Sequence, residues 1–206
     1  MAKTITRTFE NYADATEAVR NLEASGISHD DVSIVSSHKD GIAGRKDDAD
    51  VNRDGDVSRG ATTGAALGGA GGLLAGLGLI AIPGLGPIVA AGWLIATAAG
   101  AGIGAAGGAA TGGIVGALKS AGHTDEDANV YAESVRRGGT LVSARVPEER
   151  ASEAEATLNR FKGADAGSRG QEYRQSGWSE FDENAAPYER GHSGSQMLHE
   201  DVKTDR

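Results

Sequence analysis

Apolar residues along this chain follow three rhythms, and each marks out a different kind of element. Residues 4–9 (TITRTF) alternate in part between apolar and polar, the period-two signature of a strand. Tyr12, Ala15, Val19 and Leu22 then recur at helical spacing. Asn11 precedes them as an N-cap with Asp14 three residues on, and Ser25-Gly26 closes the stretch, so a helix over 11–24 is expected. Asp31 to Ser36 (DVSIVS) reads as a second strand. The same signals return late in the chain. Thr124 with Asp127 opens a helix whose face carries Ala128, Tyr131, Ala132 and Val135, reaching Arg137. Gly138-Gly139 stops it, TLVSARV at 140–146 alternates as a strand, and Ala151, Ala154, Leu158 and Phe161 stripe a helix over 148–161.

Between these halves the rhythm changes. From Gly60 to Leu118 no residue is charged, and Arg59 and Lys119 bracket the run. Glycine recurs every fourth residue twice: Gly60, Gly64, Gly68, Gly72 and Gly76, then Gly100, Gly104, Gly108, Gly112 and Gly116. The most apolar parts, Leu73 to Ile82 and Ile88 to Ile95, meet at Pro83-Gly84-Leu85-Gly86-Pro87. The pattern predicts a glycine-zipper helical hairpin with arms 61–82 and 88–118 and a turn at 83–87. At the helical rise these arms would span about 33 and 46 Å, against a hydrocarbon layer of about 30 Å. Ten helical glycines would cost on the order of 10 kcal/mol in water. A bilayer enforces the helix regardless, and the missing side chains let backbones approach closely. The stripe drifts roughly 40° per glycine, which favours right-handed crossing or several neighbours, and hence a homo-oligomer. Arg59 and Lys119 flank an uncharged turn, so both termini are expected on the cytoplasmic side of the inner membrane. The rival reading buries the hairpin between subunits of a soluble, cytoplasmic oligomer or filament.

Composition narrows the function classes. A formal net charge of -9 over 206 residues argues against binding a nucleic-acid backbone, which needs clustered Lys and Arg. The absence of Cys excludes disulfides, zinc-thiolate sites and thiol catalysis. With 32 glycines and 4% aromatic residues, one conventional core is not expected to hold the whole chain. The first residues lack an apolar signal-like stretch, so the flanks are expected in the cytoplasm.

Few motifs carry chemistry. Asp50, Asn52, Asp54, Asp56 and Ser58, with Gly55, match the first nine positions of a calcium-binding loop. The twelfth position is Ala61 instead of a bidentate Glu, which favours a solvated linker. Gly102-x-Gly104-x-x-Gly107 matches a dinucleotide fingerprint by letter, but no strand precedes it. The five histidines, His29, His38, His123, His192 and His199, lie far apart and read as surface residues. Asp125, Glu126 and Asp127 suit the first turn of a helix. No catalytic constellation emerges, and no cofactor is expected.

Two stretches resemble a known family. The segment HTDEDANVYAESVRRGGTLVSARV from His123 to Val146 is similar to the segment after the glycine zipper in bacterial general-stress proteins. These carry a heat-induced-stress-type α+β domain split by a two-helix glycine zipper. FENYADATEAVRNLEASGI near the N-terminus also fits, and Tyr131-Ala132-Glu133 with Arg136 to Val142 is the densest part. The resemblance covers residues 4–165 and implies a stress-induced or membrane-associated protein without catalytic residues. The expected fold is α+β: a small ferredoxin-like sandwich (β-α-β, then α-β-α) interrupted by the hairpin. Residues 1–37 form its first half, 38–59 a polar linker, 60–118 the hairpin, and 119–165 the second half. Residues 166–206 are expected to be a disordered acidic tail, with a poorly formed final strand near 163–168. The expected function is a non-enzymatic general stress protein, anchored in membrane lipid and oligomerised by the glycine zipper.

Overall fold

The computed structural model describes residues 2–37, 78–82, 85–97 and 113–185. β1 (Ala2–Phe9) leads to α1 (Tyr12–Ala24), a short 3₁₀ turn at His29–Asp31 and β2 (Val32–Ser36). After 37 come β3 (Gly78–Ile82) and β4 (Gly86–Gly92). α2 (Gly113–Ser120), α3 (Asp125–Arg136), β5 (Thr140–Pro147), α4 (Ala151–Arg160) and α5 (Ala166–Gln175) follow. The strands form one antiparallel-paired sheet in the order β1-β5-β2-β4-β3. β5 lies between β1 and β2, so the two halves of the chain are locked into one sheet.

The caps expected from sequence operate. Asn11 accepts from the Asp14 amide at 2.8 Å, and Thr124 accepts from the Asp127 amide at 3.1 Å. Gly26 and Gly138 take the positive φ that ends α1 and α3. Alternation along the strands sends residues to two faces. Ile5, Phe9, Val32, Ile34, Val142, Ala144 and Val146 pack with Ala15, Val19 and Leu22 of α1 and Ala154 and Leu158 of α4. Val35, Ile88, Ala90 and Leu141 pack with Ile114 and Leu118 of α2 and Ala128, Tyr131, Ala132 and Val135 of α3. The sheet is therefore covered by helices on both sides, α1 and α4 on one face and α2 and α3 on the other.

The helical hairpin is corrected at its centre. Gly78–Ile82 and Gly86–Gly92 are paired strands, from Gly78 opposite Ala90 to Ile82 opposite Gly86. The chain does reverse where expected, with Leu85 in the turn and Gly86 and Pro87 opening β4, but it does so as a β-hairpin. Prolines interrupt a helix there, while the β-branched Ile80, Ile82, Ile88 and Val89 favour a pleated setting. β4 in turn pairs with β2 from Ser33–Gly92 to Ser36–Val89. Ile88, Val89, Ala90 and Ala91 are buried in the core. Helix resumes at 93–97, where Leu94 is buried, and again in α2. Among the described residues no helix is long and apolar enough to cross a membrane.

Of the zipper glycines only Gly116, in α2, is described. Gly60, Gly64, Gly68, Gly72, Gly76, Gly100, Gly104, Gly108 and Gly112 lie outside the described residues, as do Pro83, Gly84 and the candidate calcium loop.

The final strand is poorly formed, as expected: it is a single bridge, with reciprocal backbone hydrogen bonds of 2.9 Å between Thr8 and Ala164. The expected tail from 166 is corrected. Asp165 then caps α5 by accepting from the Ser168 amide at 2.8 Å. Ala166, Gly170 and Tyr173 form a buried face at i, i+4 and i+7, and Phe181 beyond the helix is buried too. An ordered segment thus occupies 166–185, where a tail was expected; residues 186–206 lie outside the described set.

Candidate functional site

On the α3 side of the sheet, apolar positions give way to hydroxyls. Thr6, Ser143 and Ser33 stand opposite one another across β1, β5 and β2, and Gly92 of β4 completes the row. All three hydroxyl residues are buried. A buried hydroxyl without a partner is costly, and each of these has one. Thr6 Oγ1 lies 2.9 Å from Ser143 Oγ, and Ser33 donates to the Ala91 carbonyl at 2.8 Å.

His123, in the connection between α2 and α3, closes the row. Its Nε2 is 2.8 Å from Thr6 Oγ1. Its ring meets Tyr131 edge-on, with centroids 5.4 Å apart, and the Tyr131 hydroxyl donates to the Thr6 carbonyl at 3.0 Å. Burial holds His123 below its ordinary value of 6.5; Asp127 opposes the shift and Arg7 adds to it. The shift favours the neutral imidazole. Burial also pushes the Tyr131 phenol up to about 12. A hydroxyl beside an imidazole is the pairing that activates a nucleophile, but Thr6 is 1% exposed and no substrate atom can reach it. The expectation of a surface His123 is corrected: it is half-buried and bonded into the sheet. His29 stays near the surface beside Asp30, and the other three histidines lie outside the described residues.

The second feature is the corner between α3 and β5. Glu133 is fully buried, with Arg136 donating to both of its oxygens at 2.7 Å and Arg137 to Oε1 at 2.6 Å. A buried carboxylate is tolerable only when paired this closely. Gly138 turns the chain at φ 92°, and its neighbour Gly139 packs against two backbone carbonyls. A Cβ on Gly139 would fall 2.8 Å from the Ser134 oxygen and 3.2 Å from that of Phe9. Thr140 Oγ1 then meets Ser36 Oγ at 2.9 Å. The Glu133 to Val142 motif thus builds a corner, and its charges serve that corner.

A cleft of about 390 Å³ opens beside it, lined in part by Glu10, Ser134, Arg137, Arg169, Glu172 and Tyr173. The Arg137 guanidinium stacks 4.3 Å above the Tyr173 ring. The Tyr173 hydroxyl donates to Ser134 Oγ at 3.0 Å, and burial raises its pKa. Arg169 pairs with Glu172 at 2.9 Å and Glu10 at 3.4 Å. Sequence reading missed this cleft because α5, which brings Arg169 and Tyr173, was not foreseen. Of the acidic run at 125–127, Asp127 donates its backbone amide to the cap and its charge opposes the His123 shift, while Asp125 pairs with Lys119 at 2.5 Å and Glu126 with Arg174. Among the described residues no group of His, Asp and Glu could hold a metal.

Residues 4–80 match the family model described as the heat induced stress protein YflT domain. The match takes in β1, α1 and β2 and ends inside β3, so the α3–β5 corner lies beyond it. No curated protein and no solved structure matches the chain.

Proposed function

Taking residues 4–80 as a domain of the heat-induced stress-protein family, we propose that this chain is a non-enzymatic stress protein that works by self-association. Its apolar hairpin completes the sheet instead of anchoring the chain in lipid. One observation carries this reading: β4 sits between β2 and β3, with Ile88, Val89, Ala90 and Ala91 buried. Residues enclosed in a protein core are not also exposed to acyl chains. The hydroxyl row and the Glu133 cluster support a structural role, since their polar groups are turned inward and bonded to one another.

Self-association draws support from the sheet's edge. Among the described residues β3 is terminal in the strand order, and Gly78–Ile82 carries no charge. Uncharged edge strands are ready templates for pairing with another chain. The core of the domain is read as ferredoxin-like in its strand order, Ala164-β1-β5-β2, with the fourth strand reduced to one bridge.

Carbonate washing of membranes from cells making the full chain, followed by sizing, tests the proposal. The expected result is release into the supernatant as an oligomer. Retention in the washed pellet would favour membrane insertion through the glycine-rich run, and a monomer in the supernatant would refute self-association.

A further inference from the structure

We propose that the cleft between β1, α3 and α5 binds a small ligand through a carboxylate or phosphate group seated on Arg169. The side chain of Arg169 is only 13% exposed. Both of its ion pairs, to Glu10 and to Glu172, are made by the same nitrogen, Nη1. The Nε–H and the two Nη2–H groups have no hydrogen-bond partner among the described residues. Nε and Nη2 form the planar edge of a guanidinium that matches two oxygens of a carboxylate or phosphate. A largely buried arginine with this edge unspent, facing a cleft of about 390 Å³, is a built anion seat.

The surroundings fit the same chemistry. Arg137 also lines the cleft, stacked on Tyr173 and paired with Glu133, so positive charge stands on both sides of the opening. Glu10 and Glu172 are largely exposed, at 79% and 63%, so their carboxylates can swing into solvent when an anion arrives. They compete with the ligand and set its affinity low. Screening by salt weakens this site less than it would an exposed pair, because the guanidinium is mostly enclosed.

Nitrogen-15 NMR titration of the full chain with inorganic phosphate, and separately with acetate, tests the seat at constant ionic strength. Saturable shifts are expected at the Gly139 and Tyr173 amides and at the Arg169 Nε resonance. Saturation by phosphate alone or acetate alone assigns the ligand's anionic group. Arg169→Lys keeps the charge but loses the fork, and should weaken binding at least fivefold. Glu172→Gln removes a competing carboxylate and should tighten binding at least twofold. That substitution is exposed, so it gives a reading even if the arginine variant does not fold. Shifts that grow linearly with both anions, or affinities unchanged in both variants, would overturn the proposal.

Discussion

Gly92 separates the two structures this sequence could adopt, because Gly92→Ala has opposite signs in them. Within the sheet, Gly92 ends β4 at φ 96°, a conformation that L side chains rarely adopt. A Cβ there would lie 2.2 Å from the Val32 carbonyl oxygen and 2.7 Å from Ser33 Cα, both backbone atoms of the paired strand β2. The backbone penalty is roughly 1–2 kcal/mol, and forcing the overlap open adds about 1–3 kcal/mol. The sum, about 2–5 kcal/mol, is a large share of a domain's stability. At roughly 2–4 °C per kcal/mol for a chain of this size, the melting temperature should fall by about 4–20 °C. In a helical arm the same change would stabilise by about 1 kcal/mol. Thermal melts followed by circular dichroism, with urea midpoints as a check, decide between them. An unchanged or raised melting temperature would refute the strand assignment.

Further outcomes follow from the site. His123 has a depressed pKa in the folded chain, so the unfolded chain binds its proton first as pH drops. The stability it protects should be whole above pH 6.5 and should decline as pH falls through 6.5 towards the lower native value. Urea midpoints at pH 7.5 and 5.5 should differ more in the native chain than in His123→Gln. Glu133→Gln replaces the buried carboxylate that holds Arg136 and Arg137, and should cost about 3 kcal/mol by denaturant titration. Phe181→Ala should cost about 2–3 kcal/mol, because a buried aromatic is truncated. Truncation after residue 165 should lower the melting temperature by stripping α5, with buried Ala166 and Tyr173, from α3.

The outer parts of the fold were legible because local signals agreed there. Asn11 with Asp14 and Thr124 with Asp127 marked helix starts that the structure uses. The alternation in TLVSARV separated Leu141 from Val142 and Ala144, which lie on opposite faces of the sheet. The centre was misread because a continuous apolar run has no period to distinguish a doubly buried strand from a helix. Within β4, the lack of charge goes with burial of Ile88, Val89, Ala90 and Ala91 in the core. α5 was missed because two glycines and few apolar residues hid it. Its cap, Asp165 with Ser168, and the spacing of Ala166, Gly170 and Tyr173 were the signals available. The candidate cleft depended on that helix and could not be found without it.

The pairing of β4 with β2 is tested most directly by a cross-strand disulfide. Val35 and Ala90 are opposed in register, and both belong to the core on the α3 side of the sheet. Residues directly opposed in antiparallel strands have Cα atoms about 4.5–5.5 Å apart, within the range a disulfide spans. The chain has no cysteine of its own, so a Val35→Cys/Ala90→Cys variant offers a single possible bridge within one chain. Mild oxidation of the full-length variant should give that intramolecular bridge in high yield, seen as faster migration on non-reducing gels. Thiols that stay free, or that link only between chains, would contradict the strand assignment.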